Sequence, residues 1–186
     1  MIKQRSLAKL IVLSFLTCGI YGFFFWWAYI NDINEVCVCD GKRSPNVIVV
    51  ILLSFLTCGI YYLFWLYRQG ERLQSVAPDY NLSIKQGGRS VLIKYILGSF
   101  LMAFGSSSGG TASLASGKYA VTFAGYSDVV LREMVNAWHI PPDVALIIAL
   151  YSIVMYLLGI VLMLSSLNIL IENLNAVGKV YNAKCS

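Results

Sequence analysis

The sequence predicts an all-α integral membrane protein with about four transmembrane helices and an internal duplication. The nine-residue string LSFLTCGIY occurs twice, at residues 13–21 and 53–61. Both copies lie inside long apolar segments, which shows that a membrane-type helix has been duplicated. Of the 186 residues, 58% are hydrophobic and 12% are charged, and the mean hydropathy is +0.70. Soluble domains carry roughly twice that share of charged residues, about 25%.

The first two predicted spans belong to repeats at residues 7–36 and 47–76. Their apolar parts, 7–30 and 47–67, are each long enough to cross a bilayer, because roughly 20 apolar residues cover the hydrocarbon core. The internal copy argues against a cleaved secretory signal at the start of the chain. We therefore treat residues 1–186 as one mature membrane domain.

Three similar polar tails provide an alternative interpretation of the repeats. NDINEV stands at residues 31–36, ERLQSV at 71–76 and ENLNAV at 172–177. Tails of one kind would face one compartment if each repeat were a re-entrant helical hairpin that broke at Thr-Cys-Gly. Two arms of about eleven residues would reach only about 16 Å each, half of a bilayer. One crossing per repeat is the preferred interpretation, and re-entrant hairpins remain the alternative.

The second half of the chain predicts two more spans. The third, at residues 91–107, crosses only if the Lys94 side chain extends to the inner interface. The last, at residues 144–171, follows Pro141 and Pro142, which suit the first turn of a helix. With these two spans, the predicted number of membrane crossings is four.

An insertion at residues 105–143 separates these spans and is predicted to lie on the outer face. Its first part is rich in Ser and Gly, which indicates a flexible connector. Residues 126–139 have the spacing of an amphipathic helix. That helix either lies at the membrane interface, with Trp138 at the headgroups, or packs on the outer loops of the protein itself.

The distribution of basic residues predicts the orientation. Lys and Arg are retained on the cytoplasmic side of a membrane protein. Basic residues precede the first span and follow the second, so both termini and residues 68–94 are expected to be cytoplasmic. The loop around Cys37 would then face outward. The net charge of +5 does not indicate nucleic-acid binding, because the basic residues do not form one interleaved patch.

Small residues at helical spacing form a stripe in each copy of the repeat. Such stripes allow two helices to approach closely in lipid. Thr17 and Thr57 can bond to a carbonyl one turn earlier and bend the helix near the following glycine. An alternative is a transporter site at the membrane midplane. The residues concerned are Ser14, Thr17, Cys18, Gly19, Gly22, Ser54, Thr57, Cys58 and Gly59.

Aromatic clusters follow both copies of the string. Trp and Tyr are enriched where a helix leaves the hydrocarbon for the headgroups. We therefore predict interface anchors at Trp26, Trp27 and Trp65, together with Trp138 in the insertion.

The residue types argue against catalysis. His139 is the only histidine, and no nucleophile stands near a base in the sequence. Cys37 and Cys39 are too close for an unstrained disulfide and lack further soft ligands for a metal. Cys18 and Cys58 are expected to be small buried residues. The sequence therefore predicts no enzyme, no cofactor and no metal site.

The duplicated TCGIY with its aromatic cluster and polar tail resembles a bacterial membrane-protein family called domain of unknown function 4234. CDGKRSPN between the copies and NLSIKQGGRSVLIKYILGSF after the second also fit, so the resemblance covers residues 7–104. Phe25 departs from the family, which usually has the Trp seen here as Trp65. The resemblance implies a multi-pass protein of the bacterial inner membrane and implies no activity.

The expected function is a helix-packing scaffold or accessory subunit. Its partners would be membrane lipid and either another membrane protein or further copies of itself, and not nucleic acid. The alternative is an oligomeric channel or small-solute transporter with a site between the duplicated helices. A membrane enzyme is the least supported class, because catalytic groups are missing.

Overall fold

The computed structural model describes residues 1–115 and 142–185, and within these ranges the chain is helical with no strand. It forms two compact units: a repeat unit, Met1–Lys94 with Leu164–Ser186, and an α5–α6 unit, Tyr95–Met163. Short 3₁₀ turns follow α2 and α4. The helices are α1 (Leu7–Leu16), α2 (Ile20–Val36), α3 (Val47–Leu56), α4 (Ile60–Val76), α5 (Gly88–Ala115) and α6 (Pro142–Cys185).

Each repeat is a helical hairpin. In the first repeat α1 ends at Leu16 and α2 begins at Ile20. The two arms fold back on each other, because a Cβ placed on Gly22 of α2 would lie 3.2 Å from the Ser14 hydroxyl of α1. The second repeat has the same break between α3 and α4. A continuous helix in each repeat is therefore wrong, and a helical hairpin describes the fold of each repeat.

A Schellman motif reverses the chain at Thr-Cys-Gly. Cys18 has φ +50° and Gly19 has φ +92°, so both residues lie in the left-handed region. The Gly19 amide donates to the Ser14 carbonyl at 2.7 Å, and the Cys18 amide donates to the Phe15 carbonyl at 3.3 Å. These two bonds are the ones that define the motif, and they cap α1.

Thr17 joins the two arms. Its hydroxyl donates to the Leu13 carbonyl at 2.7 Å, as the sequence predicts, and accepts from the Tyr21 amide of α2 at 2.9 Å. One side chain thus closes α1 and opens α2. Thr57 makes the same two bonds in the second repeat, which explains why the whole string is needed twice.

The three similar tails meet in the core of the repeat unit. The Tyr80 hydroxyl, just after α4, donates to the Val36 carbonyl at 2.8 Å, and Tyr181 of α6 bonds to Glu35 at 3.2 Å. The ends of α2, α4 and α6 therefore lie together, as the hairpin interpretation requires. Each tail buries two apolar residues: Ile33 and Val36, Leu73 and Val76, and Leu174 and Val177.

Glycines allow α5 and α6 to approach closely within the α5–α6 unit. A Cβ on Gly98 would lie 2.7 Å from the Gly159 carbonyl, and one on Gly159 would lie 2.6 Å from the Gly98 carbonyl. Gly105 meets the Ser152 carbonyl in the same way, so the helices are antiparallel. Helix α5 continues to Ala115, through part of the predicted connector. The predicted helix at 126–139 lies outside the described residues.

One stretch of the described chain is long and apolar enough to span a membrane. It is Leu150–Lys184 of α6, with a mean hydropathy of 2.3, and only 22% of its most apolar window is buried. A core helix of a soluble protein would be mostly buried. Helices α1 and α3 are apolar but have 10 residues each. By length and composition, then, a single crossing is supported among the described residues.

Candidate functional site

The turns of the two hairpins expose large apolar side chains. Phe15 is 85% exposed and Phe55 is 88% exposed. Contiguous exposed apolar surface on a protein marks a contact with a membrane or a partner. We call the two regions the hairpin tips, and they consist of Phe15, Leu16 and Ile20 in the first repeat and Phe55, Leu56 and Ile60 in the second.

The backbone amides at the turn of each tip are all bonded within the hairpin. All five amides of residues 17–21 donate within the hairpin, four to carbonyls and the fifth to the Thr17 hydroxyl. Residues 57–61 repeat the pattern. In hydrocarbon each unsatisfied backbone group costs several kcal/mol, so only internally bonded turns are tolerated there. The tips are therefore suited to an apolar environment by their backbone as well as by their side chains.

The opposite ends of the hairpins hold a buried cluster centred on Arg72, which is 4% exposed. Its Nε and Nη2 donate to the Asp40 carboxylate at 2.7 and 3.1 Å. Nη1 donates to Asn34 at 3.1 Å and to the Ser44 hydroxyl at 2.8 Å, and Nη2 also donates to the Lys42 carbonyl at 2.6 Å. The planar guanidinium thus uses its whole donor fork. We call this cluster the polar base.

The polar base ties the loop between the repeats to α2 and α4. Asn34 accepts from the Ser44 amide at 2.7 Å and donates to the Ser44 carbonyl at 3.1 Å. The Ser44 hydroxyl bonds to buried Gln69 of α4 at 2.8 Å. Burial acts to raise the pKa of Asp40, but hydrogen bonds from Arg72 and the Lys42 amide outweigh burial and lower it. The loop is therefore held by a charged pair.

The N-terminal segment is held against α6 by two asparagine amides. Asn175 accepts from the Arg5 amide at 2.8 Å and donates to its carbonyl at 2.6 Å. Asn182 makes the same pair of bonds with Ile2, at 2.8 Å each. The Arg5 side chain also forms an ion pair with Asp32 of α2. The start of the chain and the end of α6 therefore lie together in the repeat unit.

The hairpin arms, the Schellman turns and the polar base all fall within one stretch of sequence. Residues 5–75 match the family Domain of unknown function (DUF4234). The match covers both hairpins and ends just after Arg72, whereas α5 and α6 lie beyond it. No curated protein and no solved structure matches the chain. The resemblance seen in the sequence is confirmed for the DUF4234 region.

Sequence patterns predict little of the polar base. The distribution of basic residues in the DUF4234 region, Arg72 among them, predicts only the orientation in the membrane. The useful signal is a difference between the copies: Arg72 occupies the tail position of Asp32 in the first repeat and of Asn173 in α6. At this position the first tail has an acidic residue, the second a basic residue and α6 a neutral one. This difference indicates that Arg72 has a partner that the other tails do not share.

The cysteines of the DUF4234 region lie in different environments from those expected. Cys18 and Cys58 are exposed at the hairpin turns, so their prediction as small buried residues is wrong. Cys37 is buried and Cys39 is exposed. Burial is the main cause that raises the pKa of the Cys37 thiol from 9.0 to about 11, and the charge of Arg72 acts in the opposite direction.

We expect the Cys37 thiol to react far more slowly than the Cys39 thiol. The thiolate is the reactive form, so a pKa near 11 leaves about 100-fold less of it at pH 8 than an ordinary cysteine has. Labelling single-cysteine variants with a maleimide in detergent measures the ratio. Equal rates in SDS provide the control, and equal rates in the folded protein would contradict the burial of Cys37.

The four tryptophans predicted as interface anchors do not behave alike. Trp65 is 3% exposed, so its prediction as an anchor is wrong. It packs against Trp26, with ring centroids 5.6 Å apart, and stacks on Tyr62 at 5.8 Å. Trp27 is 38% exposed, and Trp138 lies outside the described residues. The contact between Trp26 and Trp65 therefore joins the two hairpins.

An apolar cavity of about 390 Å³ lies between α2, α3 and α4. It coincides in part with the midplane site that the sequence raised as an alternative, because Gly19 and Ser54 line it. Its remaining walls are aromatic and aliphatic, and none of its lining residues is charged. Of the other predicted site residues, Ser14 and Gly22 pack within the first hairpin, and the Thr and Cys residues form the turns.

Proposed function

We propose that the protein is a scaffold or accessory subunit of the bacterial inner membrane, whose hairpin tips are embedded in the bilayer and bind partner proteins or lipid. The observation that carries the proposal is the pair of exposed apolar tips whose turn amides all have acceptors within the hairpin. In water, the exposed large apolar side chains of the tips would be unfavourable. Membrane insertion accounts for both the exposed side chains and the bonded amides.

The arm length supports insertion to half the depth of the bilayer. Helices α1 and α3 have 10 residues each, or about 15 Å, against a hydrocarbon core of about 30 Å. The tips would reach the middle and return, while the polar base stays at the membrane surface. Helix α6, with α5 antiparallel to it in the α5–α6 unit, would provide the crossing.

This arrangement places all polar parts of the repeat unit on one side. The chain start, the loop at residues 37–46 and the end of α6 belong to the same unit. The basic residues of that unit favour the cytoplasmic side. The loop around Cys37 would then be cytoplasmic together with both termini, which reverses the outward orientation that a single crossing per repeat implied.

We expect a membrane-impermeant maleimide to label neither Cys39 nor Cys185 on intact cells. Single-cysteine variants with one of these two residues should become labelled once the cells are opened, since both would face the cytoplasm. The exposure of Cys39 ensures that protection reflects the membrane and not burial. Labelling of Cys39 but not Cys185 on intact cells would show that each repeat crosses the bilayer and would refute the hairpin topology, whereas labelling of both would refute the cytoplasmic orientation.

A channel or small-solute transporter is the second candidate, and the 390 Å³ cavity between the hairpins is what favours it. Its uncharged walls suit an apolar solute better than an ion. Flux through purified protein in liposomes would support transport. Specific crosslinks from Cys18 or Cys58 at the tips to a membrane partner, or to a second copy, would support the scaffold.

A further inference from the structure

A second cavity, of about 320 Å³, is lined by α4 and by the loop between the repeats, and it shares no lining residue with the first cavity. Its walls include Lys42 from the loop and Phe64, Arg68 and Glu71 from α4, and the ion pair of Arg72 with Asp40 lies beneath them. The cavity thus combines an aromatic side with a charged side. The hydrogen bonds of the polar base do not involve the side chains of Phe64, Arg68 or Glu71.

The cavity lies where the surface of α4 changes character. Ile60 and Phe64 are exposed and apolar, whereas Arg68 and Glu71, one turn further, are exposed and charged. Under the proposed function, on which this inference depends, that change marks the boundary between hydrocarbon and headgroups. A lipid beside α4 would place its phosphate at the level of Arg68.

The charges of the cavity leave two cations available. Arg72 and Asp40 neutralise each other, and the Arg72 donors are already used. The side chains of Lys42 and Arg68 form no hydrogen bond or ion pair with any residue that the structure describes. With Glu71 nearby, the unpaired charges sum to one positive charge, which matches a phosphodiester.

The duplication shows that Arg68 is not needed to build a hairpin. Ala28 occupies the position of Arg68 in the first repeat, and Asn31 occupies that of Glu71. Phe24 and Trp27 of the first repeat correspond to Phe64 and Tyr67 of the second, so both repeats are aromatic at these positions. Both hairpins fold in the same way, so Arg68 and Glu71 are charges that only the second hairpin carries.

We infer that this cavity binds the phosphodiester of a glycerophospholipid. Arg68 and Lys42 bind the phosphate oxygens, the guanidinium as a planar fork and the ammonium as a point charge. Phe64 contacts the first part of an acyl chain. The second hairpin thereby holds a specific lipid that the first hairpin does not.

Native mass spectrometry of the purified full chain, titrated with phosphatidylglycerol, tests the inference. Arg68→Ala, which gives the second repeat the residue of the first, and Lys42→Ala should each weaken binding about fivefold. The Lys42 carbonyl that Arg72 uses is unchanged in that variant. Arg43→Ala is the matched control, because Arg43 is an exposed neighbouring cation outside the cavity, and its affinity should stay within twofold.

Three results would overturn the inference. Equal losses in Arg43→Ala and Lys42→Ala would show general attraction of charge to lipid. Diacylglycerol bound as tightly as phosphatidylglycerol would show that the phosphate is not recognised. Deacylated glycerophosphoglycerol bound as tightly would assign the cavity to a soluble phosphodiester. Flotation of all variants with vesicles tests membrane insertion separately from lipid recognition at the cavity. A wild-type protein that fails to float refutes the proposed function itself.

Discussion

Replacing Arg72 with Ala is expected to lower the free energy of unfolding of the repeat unit by about 3–5 kcal/mol. The change leaves the Asp40 carboxylate, whose side chain is 12% exposed, without its partner. It also leaves the Lys42 carbonyl and the Ser44 hydroxyl without a donor. Denaturant unfolding in detergent, followed by the fluorescence of buried Trp65, measures the loss.

Two variants define what the Arg72 result means. Arg43→Ala removes an exposed cation from the same loop and should change the unfolding free energy by less than about 0.5 kcal/mol. Arg72→Lys retains the charge but not the fork, so it should lie between wild type and Arg72→Ala. A loss below about 1 kcal/mol in Arg72→Ala would show that the loop is held by other contacts.

The pH dependence of stability should follow the Asp40 pKa. This pKa is lowered from 3.8 in the folded protein, so the unfolded state binds more protons between the two values. The contribution is therefore fully present above pH 3.8 and is lost as the pH falls through the lowered pKa. The curves of wild type and Arg72→Ala should converge at that acidic end.

The repeats show what hydropathy can and cannot predict. The duplication, the helical class, the Thr17 hydrogen bond and the DUF4234 resemblance all follow from the sequence. Hydropathy does not predict the hairpin, because a count of apolar residues from 7 to 30 carries no information on the left-handed φ of Cys18. The three polar tails indicated the hairpin correctly. The short reach of each arm argues against a hairpin that spans the bilayer, but it is compatible with a hairpin inserted to half the depth.

The polar base depends on contacts that are distant in sequence. In the polar base Arg72 meets Asp40 across 32 positions, and outside it Asn175 meets Arg5 across 170. Sequence periodicity carries no information on such pairs, since each side chain by itself looks like a solvated charge or amide. The internal repeat supplies the missing comparison, because it shows which polar positions are shared by the copies and which are particular to one.

Replacing Phe15 with Glu should expel the first hairpin tip from the bilayer. A carboxylate at that depth costs about 2.5–3.5 kcal/mol, whereas Phe is slightly favourable, so the equilibrium between inserted and expelled tips shifts by at least about 100-fold. Cys18 in the same turn reports the change. Its labelling by an impermeant maleimide, applied to the cytoplasmic face of inverted vesicles, should accelerate strongly.

The duplication turns this measurement into a matched pair. Phe55→Glu should expose Cys58 and leave Cys18 shielded, while Phe15→Glu should do the reverse. Asn31→Glu, in the polar tail of the first hairpin, gives that repeat the residue found at Glu71 and should expose neither cysteine. Because α6 still crosses, every variant should stay in the membrane fraction, so labelling at the tips reports the hairpins alone.

The same variants distinguish lipid from protein as the cover of the tips. Phe15 is 85% exposed and supports no core, so Phe15→Glu should change the unfolding free energy in detergent by less than about 0.5 kcal/mol. A tip covered by lipid therefore becomes labelled without loss of stability. A tip covered by a second copy of the chain would instead show a loss of self-association in detergent together with faster labelling of Cys18. That result would place a protein partner, and not the bilayer, on the duplicated turns.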